Sequence, residues 1–149
     1  MKPSTINNYL LLKLPLARIA GVKLTYCKRE EAQTRVKYRW LNQNPFQSMF
    51  WAVQGMAAEL STGALCMSKV KNSKQNISML VVDLKGKFTK KAVGRIKFTC
   101  KQGLEVEETI KKAIQTGKSQ TLELKSVGID EKGGQVSEFS FNWSFKLKS

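Results

Sequence analysis

Residues 44–67, NPFQSMFWAVQGMAAELSTGALCM, constrain this chain more than any other stretch, because they form one long apolar run that carries a single acid. Between Arg39 and Lys69, Glu59 is the only charged side chain, and its sequence neighbours are Met56, Ala57, Ala58 and Leu60. The length of the run and its small residues (Ala52, Gly55, Ala57, Ala58, Ser61, Gly63 and Ala64) predict a helix buried in protein. A glycine inside a helix costs about 1 kcal/mol relative to alanine, so Gly55 and Gly63 imply tight packing or a ligand. Asn44 followed by Pro45 predicts the helix start, with asparagine as the cap and proline at the first helical position. From Pro45 to Met67, at about 1.5 Å per residue, the helix would run roughly 35 Å, enough to cross a small domain. Gln47, Ser48, Gln54, Glu59, Ser61 and Thr62 interrupt the apolar pattern, so it does not read as a membrane span.

Such a helix needs a large apolar surface to lie on, and the end of the chain supplies one. Phe139, Phe141, Trp143, Phe145 and Leu147 alternate with Glu138, Ser140, Asn142, Ser144 and Lys146, which predicts a strand with one aromatic face. Further strands are predicted over residues 22–27, 33–40, 77–88, 94–100 and 120–129. In the second of these Val36, Tyr38 and Trp40 alternate with Arg35, Lys37 and Arg39, giving a core face and a basic, solvated face. In the third, Met79, Leu80, Val81, Val82 and Leu84 place apolar groups on both faces, so cover on both sides is expected, with assembly into a dimer or higher oligomer. Residues 104–116 return to helical spacing, with Gly117 as the stop. Residues 4–14 predict a short amphipathic helix halted by Pro15, lying outside as a lid or plug. The polar stretch 70–76 is expected to be a loop. The sum is one α+β domain of 149 residues with an N-terminal helical segment over 1–20, its antiparallel sheet strongly twisted around one helix.

The 26 Lys and Arg residues against 11 Asp and Glu give a net charge of +15, which favours a phosphate-bearing partner or simply a solvated basic surface. The chain has no histidine, and this excludes histidine-dependent triads, histidine metal sites and histidine general bases. Cys27, Cys66 and Cys100 are odd in number and widely spaced, so neither a disulfide framework nor a zinc site is expected. A reducing cytoplasm is the expected compartment. The apolar run 9–16 is broken by Lys13 and Pro15 and is not read as a signal peptide.

The stretch 14–67, with LPLARIAGVKL, RVKYRW and NPFQSMFWAVQGMAAELSTGAL, resembles the hotdog-fold thioesterases. The likeness extends over nearly the whole chain and is strongest to an uncharacterised, domain-of-unknown-function branch near the phenylacetyl-CoA thioesterase-like members. In those members a loop asparagine precedes a glycine-rich helix entrance and an acid sits part-way along the helix. Laid over this chain without a gap, they fall on Asn44 and Glu59. The family's His-Gly-Gly entrance falls on Phe50, Trp51 and Ala52, so the polarising histidine is missing.

The resemblance implies a hotdog fold and an acyl-CoA thioesterase-like hydrolase. Glu59 would be general base or nucleophile, and Asn44 would orient water or the thioester. Backbone N–H groups around Phe50 and Trp51 would polarise the carbonyl, with Ser61 or Thr62 assisting in position or bonding back to the helix. Arg95, Lys97, Lys90 and Lys91 are candidates to meet the phosphates of coenzyme A. No cofactor is expected beyond the coenzyme A portion of the substrate, and no metal. The expected partners are an acyl-CoA or other acyl thioester and further copies of the chain, as a homodimer or homotetramer in which the 77–84 strand pairs with its twin. Two alternatives stand beside this reading: a non-catalytic acyl-thioester binder, motivated by the altered entrance, and a polyanion binder, motivated by net charge alone. Nucleic acid is not the expected partner.

Overall fold

In the computed structural model, which describes residues 2–149, six antiparallel strands curve around one helix. Two helices open the chain, α1 (Pro3–Lys13) and α2 (Pro15–Ile19). They lead into the hairpin β1 (Lys23–Cys27) and β2 (Ala32–Lys37), a short 3-10 turn over Trp40–Asn42, and the long helix α3 (Trp51–Ser73). Then come β3 (Ile77–Phe88), β4 (Arg95–Cys100), α4 (Gly103–Thr116), β5 (Gln120–Ile129) and β6 (Gln135–Leu147). The sheet order is β1-β2-β4-β5-β6-β3, so β1 and β3 are the edges.

The aromatic row of β6 explains the two helix glycines. Phe139, Phe141, Trp143 and Phe145 are all buried. A Cβ on Gly55 would lie 3.6 Å from the Phe139 ring, and one on Gly63 would lie 3.4 Å from Trp143. The glycines therefore let α3 settle onto aromatic rings, and that packing outweighs their helix cost. Three polar clamps fix the register of helix on sheet. Thr34 Oγ1 donates to the Ala57 carbonyl at 2.7 Å, the Ser61 and Ser126 hydroxyls meet at 2.7 Å, and the Trp143 indole N–H donates to Thr62 Oγ1 at 2.9 Å. Each satisfies a group that would otherwise be a buried, unpaired cost.

Several sequence expectations shift at element boundaries. The helix begins at Trp51, not at Pro45, because Asn44 spends its side chain on the loop. Its Oδ1 accepts from the Phe46 and Ser48 N–H groups, and its Nδ2 donates to Ser48 Oγ. Asn-Pro thus builds a turn that passes through Gln47 at φ 59°. The helix also continues through the expected loop to Ser73, ending on Lys74 at φ 57°. Strand β2 ends at Lys37, and Trp40, expected on the core face with Val36, stands 79% exposed. The strand expected to be covered on both faces, β3, is an edge. It pairs only with β6 and is kinked by a bulge between Val81 and Asp83. Leu80, Val82, Leu84 and Phe88 of β3 are exposed.

The N-terminal segment is tied down where it was expected to cap the outside. Asn7 receives the Leu24 N–H and donates to the Leu24 carbonyl, both at 2.9 Å, closing the free side of edge strand β1. Ile6 and Leu10 anchor α1 to the core. Leu11, Leu12 and Leu16 face outward.

Candidate active site

Glu59 is placed by an i+4 stripe on α3. Gly55, Glu59 and Gly63 recur every fourth residue and so lie close together on the helix surface, with Trp51 and Met67 turned progressively away at either end. The sheet covers the neighbouring faces, and α1 with α2 rises beside the stripe. The result is a cavity of about 310 Å3 whose walls include Tyr9, Leu14 and Leu16 from the N-terminal segment, Met56 and Met67 from α3, and Met79 and Trp143 from the sheet. Glu59 sits at its mouth, exposed on one side and against this apolar wall on the other. Loss of hydrating water raises its carboxyl above the usual carboxylate value, and no hydrogen bond or cation reaches it among the described residues. A bare carboxyl beside an apolar cavity has the makings of a proton acceptor.

A second cavity, of about 380 Å3, opens at the helix N-terminus and is bordered by Asn44, Phe50, Trp51, Gln54, Lys90 and Lys91. The Phe50 N–H, expected to polarise a substrate, is already donated to the Asn42 carbonyl at 2.9 Å. The first-turn N–H groups of Trp51 and Ala52 have no acceptor among the described residues, since no helical turn precedes them. They are the donors that the helix dipole leaves available. Phe50 and Trp51 meet edge to face at 5.9 Å and are both about half exposed, forming a wall instead of a small-residue entrance. Lys90 pairs with Asp130 at 2.7 Å, and Lys91 donates to the Phe46 carbonyl at 3.0 Å.

Within one chain, then, Asn44, Phe50 and Trp51 share one cavity and Glu59 lines the other, eight residues or about 12 Å further along the helix. Ser61 and Thr62 face the sheet. Ser61 Oγ donates to the Ala58 carbonyl and Thr62 Oγ1 to the Glu59 carbonyl, besides their clamps to the sheet. Arg95 and Lys97 stand across the sheet from α3, on its outer surface. There Lys97 is in register with Arg35 and Arg95 with Lys37, so the four form one basic patch.

Two groups escaped sequence reasoning. Gln54 is buried against the N-terminal cavity, and its Oε1 has no partner. Asn42 is buried and ties three segments together, donating to the Ala20 and Lys37 carbonyls and accepting the Arg39 N–H. The Asn-x-Asn spacing over 42–44 was the available signal. The cysteines offer no alternative nucleophile: all three are buried, and burial pushes the Cys100 thiol up to about 11. Among the described residues no cluster is suited to a metal ion, and no helix is long and apolar enough to cross a membrane.

Residues 4–145 match the family described as a domain of unknown function, DUF4442, and the chain belongs to that family. Its fold is the hotdog fold of thioesterase-like proteins. A protein of unknown function and probable thioesterase from Pseudomonas aeruginosa superposes with a TM-score of 0.83 at 19% identity, covering 99% of this chain and 97% of the other. A thioesterase from Haemophilus influenzae superposes at 0.73 with 9% identity, covering 99% and 92%. A mutant thioesterase from Pseudomonas aeruginosa does so at 0.74 with 10% identity, covering 99% and 96%. No curated protein matches the sequence.

Proposed function

We propose that this protein hydrolyses an acyl thioester, with Glu59 as the general base. The observation that carries this reading is the unpartnered Glu59 carboxyl, raised by desolvation, at the mouth of a 310 Å3 apolar cavity. A structural acid would be expected to have a cation or donor beside it. In the reaction, ionised Glu59 takes a proton from water as the water oxygen attacks the carbonyl carbon. The carbonyl oxygen gathers negative charge against N–H donors, and the carbon–sulfur bond then breaks with the proton passing to the departing thiolate. The free N–H groups of Trp51 and Ala52 are the natural oxyanion donors, and Asn44 and Gln54 border the same space.

Because donors and base open into different cavities of one chain, the reading calls for a second copy. The edge strand β3, with Leu80, Val82 and Leu84 exposed, offers the docking surface. A homodimer through β3 would set the helix N-terminus of one copy against Glu59 of the other. An acyl-CoA is the substrate favoured by the charge of the chain, with Lys90 and Lys91 bordering the N-terminal cavity.

The test is turnover of an acyl-CoA panel by the wild type, Glu59→Gln, Asn44→Ala and a mixture of the two variants. Loss of a general base costs about 100-fold or more. Recovery of activity on mixing would support a site shared between copies, and wild-type turnover in Glu59→Gln would overturn the assignment. A second reading, an acyl-thioester binder without hydrolysis, is favoured by the Phe50–Trp51 wall where the resembling family has small residues. Tight acyl-CoA binding without turnover by the wild type would select it.

A further inference from the structure

Away from Glu59, a cavity of about 590 Å3 lies between the second half of α3, α4 and the β1–β2 turn. Its charged wall consists of Lys28, Arg29, Lys69, Lys111 and one acid, Glu107. Glu107 receives Lys69 Nζ at 3.0 Å and Arg29 at 3.2 and 3.4 Å, with Lys111 Nζ at 3.8 Å. Lys111 also pairs with Glu108 at 3.8 Å and Glu30 acts on Arg29, so with Lys28 four cations meet three acids and a surplus of positive charge remains. Glu107 alone cannot balance them even though Arg29 and Lys69 hold its carboxyl at about 2, fully ionised.

Lys69 makes the surplus specific. It is only 7% exposed, and Glu107 is the one acceptor its ammonium meets among the described residues. An ammonium has three donors, and donors left unpaired away from bulk solvent are costly. Water in the cavity would accept those bonds but leave the surplus charge. An anion answers both needs, and Ser68 and Asn72 add neutral hydrogen-bonding groups to the wall. Ile110 and Ile114 line the other side, lowering the local dielectric and strengthening any ion contact made there.

We propose that this cavity between α3 and α4 binds a phosphate-bearing dianion or trianion, with Lys69 as its deepest contact and Lys28 and Lys111 at its rim. The site is separate from the Glu59 cavity, since Lys69 follows Glu59 by ten residues, about 15 Å along α3. The same chemistry has two sources, a free diphosphate-type ligand or the nucleotide end of coenzyme A.

Isothermal titration with pyrophosphate and with adenosine 3′,5′-bisphosphate separates them and tests the site without reference to turnover. Both ligands are expected to bind one per chain. Lys69→Met, and separately the rim pair Lys28→Gln with Lys111→Gln, should each weaken binding by about 10-fold or more, the scale of one charge-assisted contact. The control pair Lys23→Gln with Arg35→Gln removes the same charge from the outer sheet and should change affinity less than about 3-fold. The rim residues are exposed, so that pair gives a reading even where Lys69→Met folds poorly. Tighter binding of the bisphosphate assigns the site to the coenzyme, and tighter binding of pyrophosphate assigns it to a free diphosphate. Equal losses in the rim and control pairs, or no binding of either ligand, would overturn the proposal.

Discussion

Glu59 and Glu107 are the same side chain in opposite surroundings. Glu107 is ringed by Arg29, Lys69 and Lys111, and its carboxyl is held at about 2. Glu59 faces Met56, Met67 and the leucines of the N-terminal segment, has no ion-pair partner among the described residues although Lys13 lines the same cavity, and is raised. One carboxylate is committed to the cations around it. The other has its proton affinity raised by burial beside a largely apolar cavity wall, with no partner to hold it ionised. That difference is the ground on which Glu59, and not Glu107, is proposed as the base in a chain without histidine.

The largest expected effect is on turnover. Glu59→Gln should lose about 100-fold or more of kcat for any thioester, while Glu107→Gln should keep kcat within about 3-fold, because it lines neither the Glu59 cavity nor the cavity at the helix N-terminus. Equal losses would erase the contrast. Next comes Gly103→Ala, which tests whether the α3–α4 side is rigid. A Cβ there would lie 2.0 Å from the Arg29 carbonyl oxygen, backbone that cannot yield cheaply, so destabilisation of about 1–3 kcal/mol is expected by chemical denaturation. Gly63→Ala, whose Cβ would sit 3.4 Å from Trp143, should cost less, with helix propensity offsetting the crowding.

Smaller, and opposite in sign, are the pH effects. Glu107 falls from 4.5 to about 2 on folding, so its stabilisation is complete above about pH 4.5 and is lost as pH falls toward 2. Glu59 is raised above 4.5, so the folded state favours its protonated form. That contribution is present below pH 4.5 and is lost as pH rises through the raised value. Thermal melts of the wild type against each Gln variant should therefore diverge on opposite sides of pH 4.5. At neutral pH Glu59→Gln should melt no lower than the wild type, and Glu107→Gln should melt lower.

The contrast between the two acids was half legible in the sequence. Glu59 stood out because nothing else charged lies between Arg39 and Lys69, and the alternation over residues 139–147 gave the aromatic face that the helix needs. Glu107 did not stand out, since Arg29 and Lys69 reach it from 78 and 38 residues away. Distance in sequence also hid the roles of Ser61 and Thr62, whose partners Ser126 and Trp143 come from the far end of the chain. The helix ends were misplaced for local reasons. Asn44-Pro45 suits a turn as well as a cap, and Lys74 closes α3 in a left-handed conformation that glycine ordinarily signals. The two-sided apolar pattern of β3 was legible, but one chain leaves one of its faces uncovered.

The central claim, that Glu59 is the base, is tested most directly by the pH dependence of kcat/KM for an acyl-CoA. The wild type should show a rising limb whose midpoint lies above 4.5, and Glu59→Gln should keep acyl-CoA binding while losing both the limb and the rate. A rising limb of the same midpoint and height in Glu59→Gln would contradict the claim.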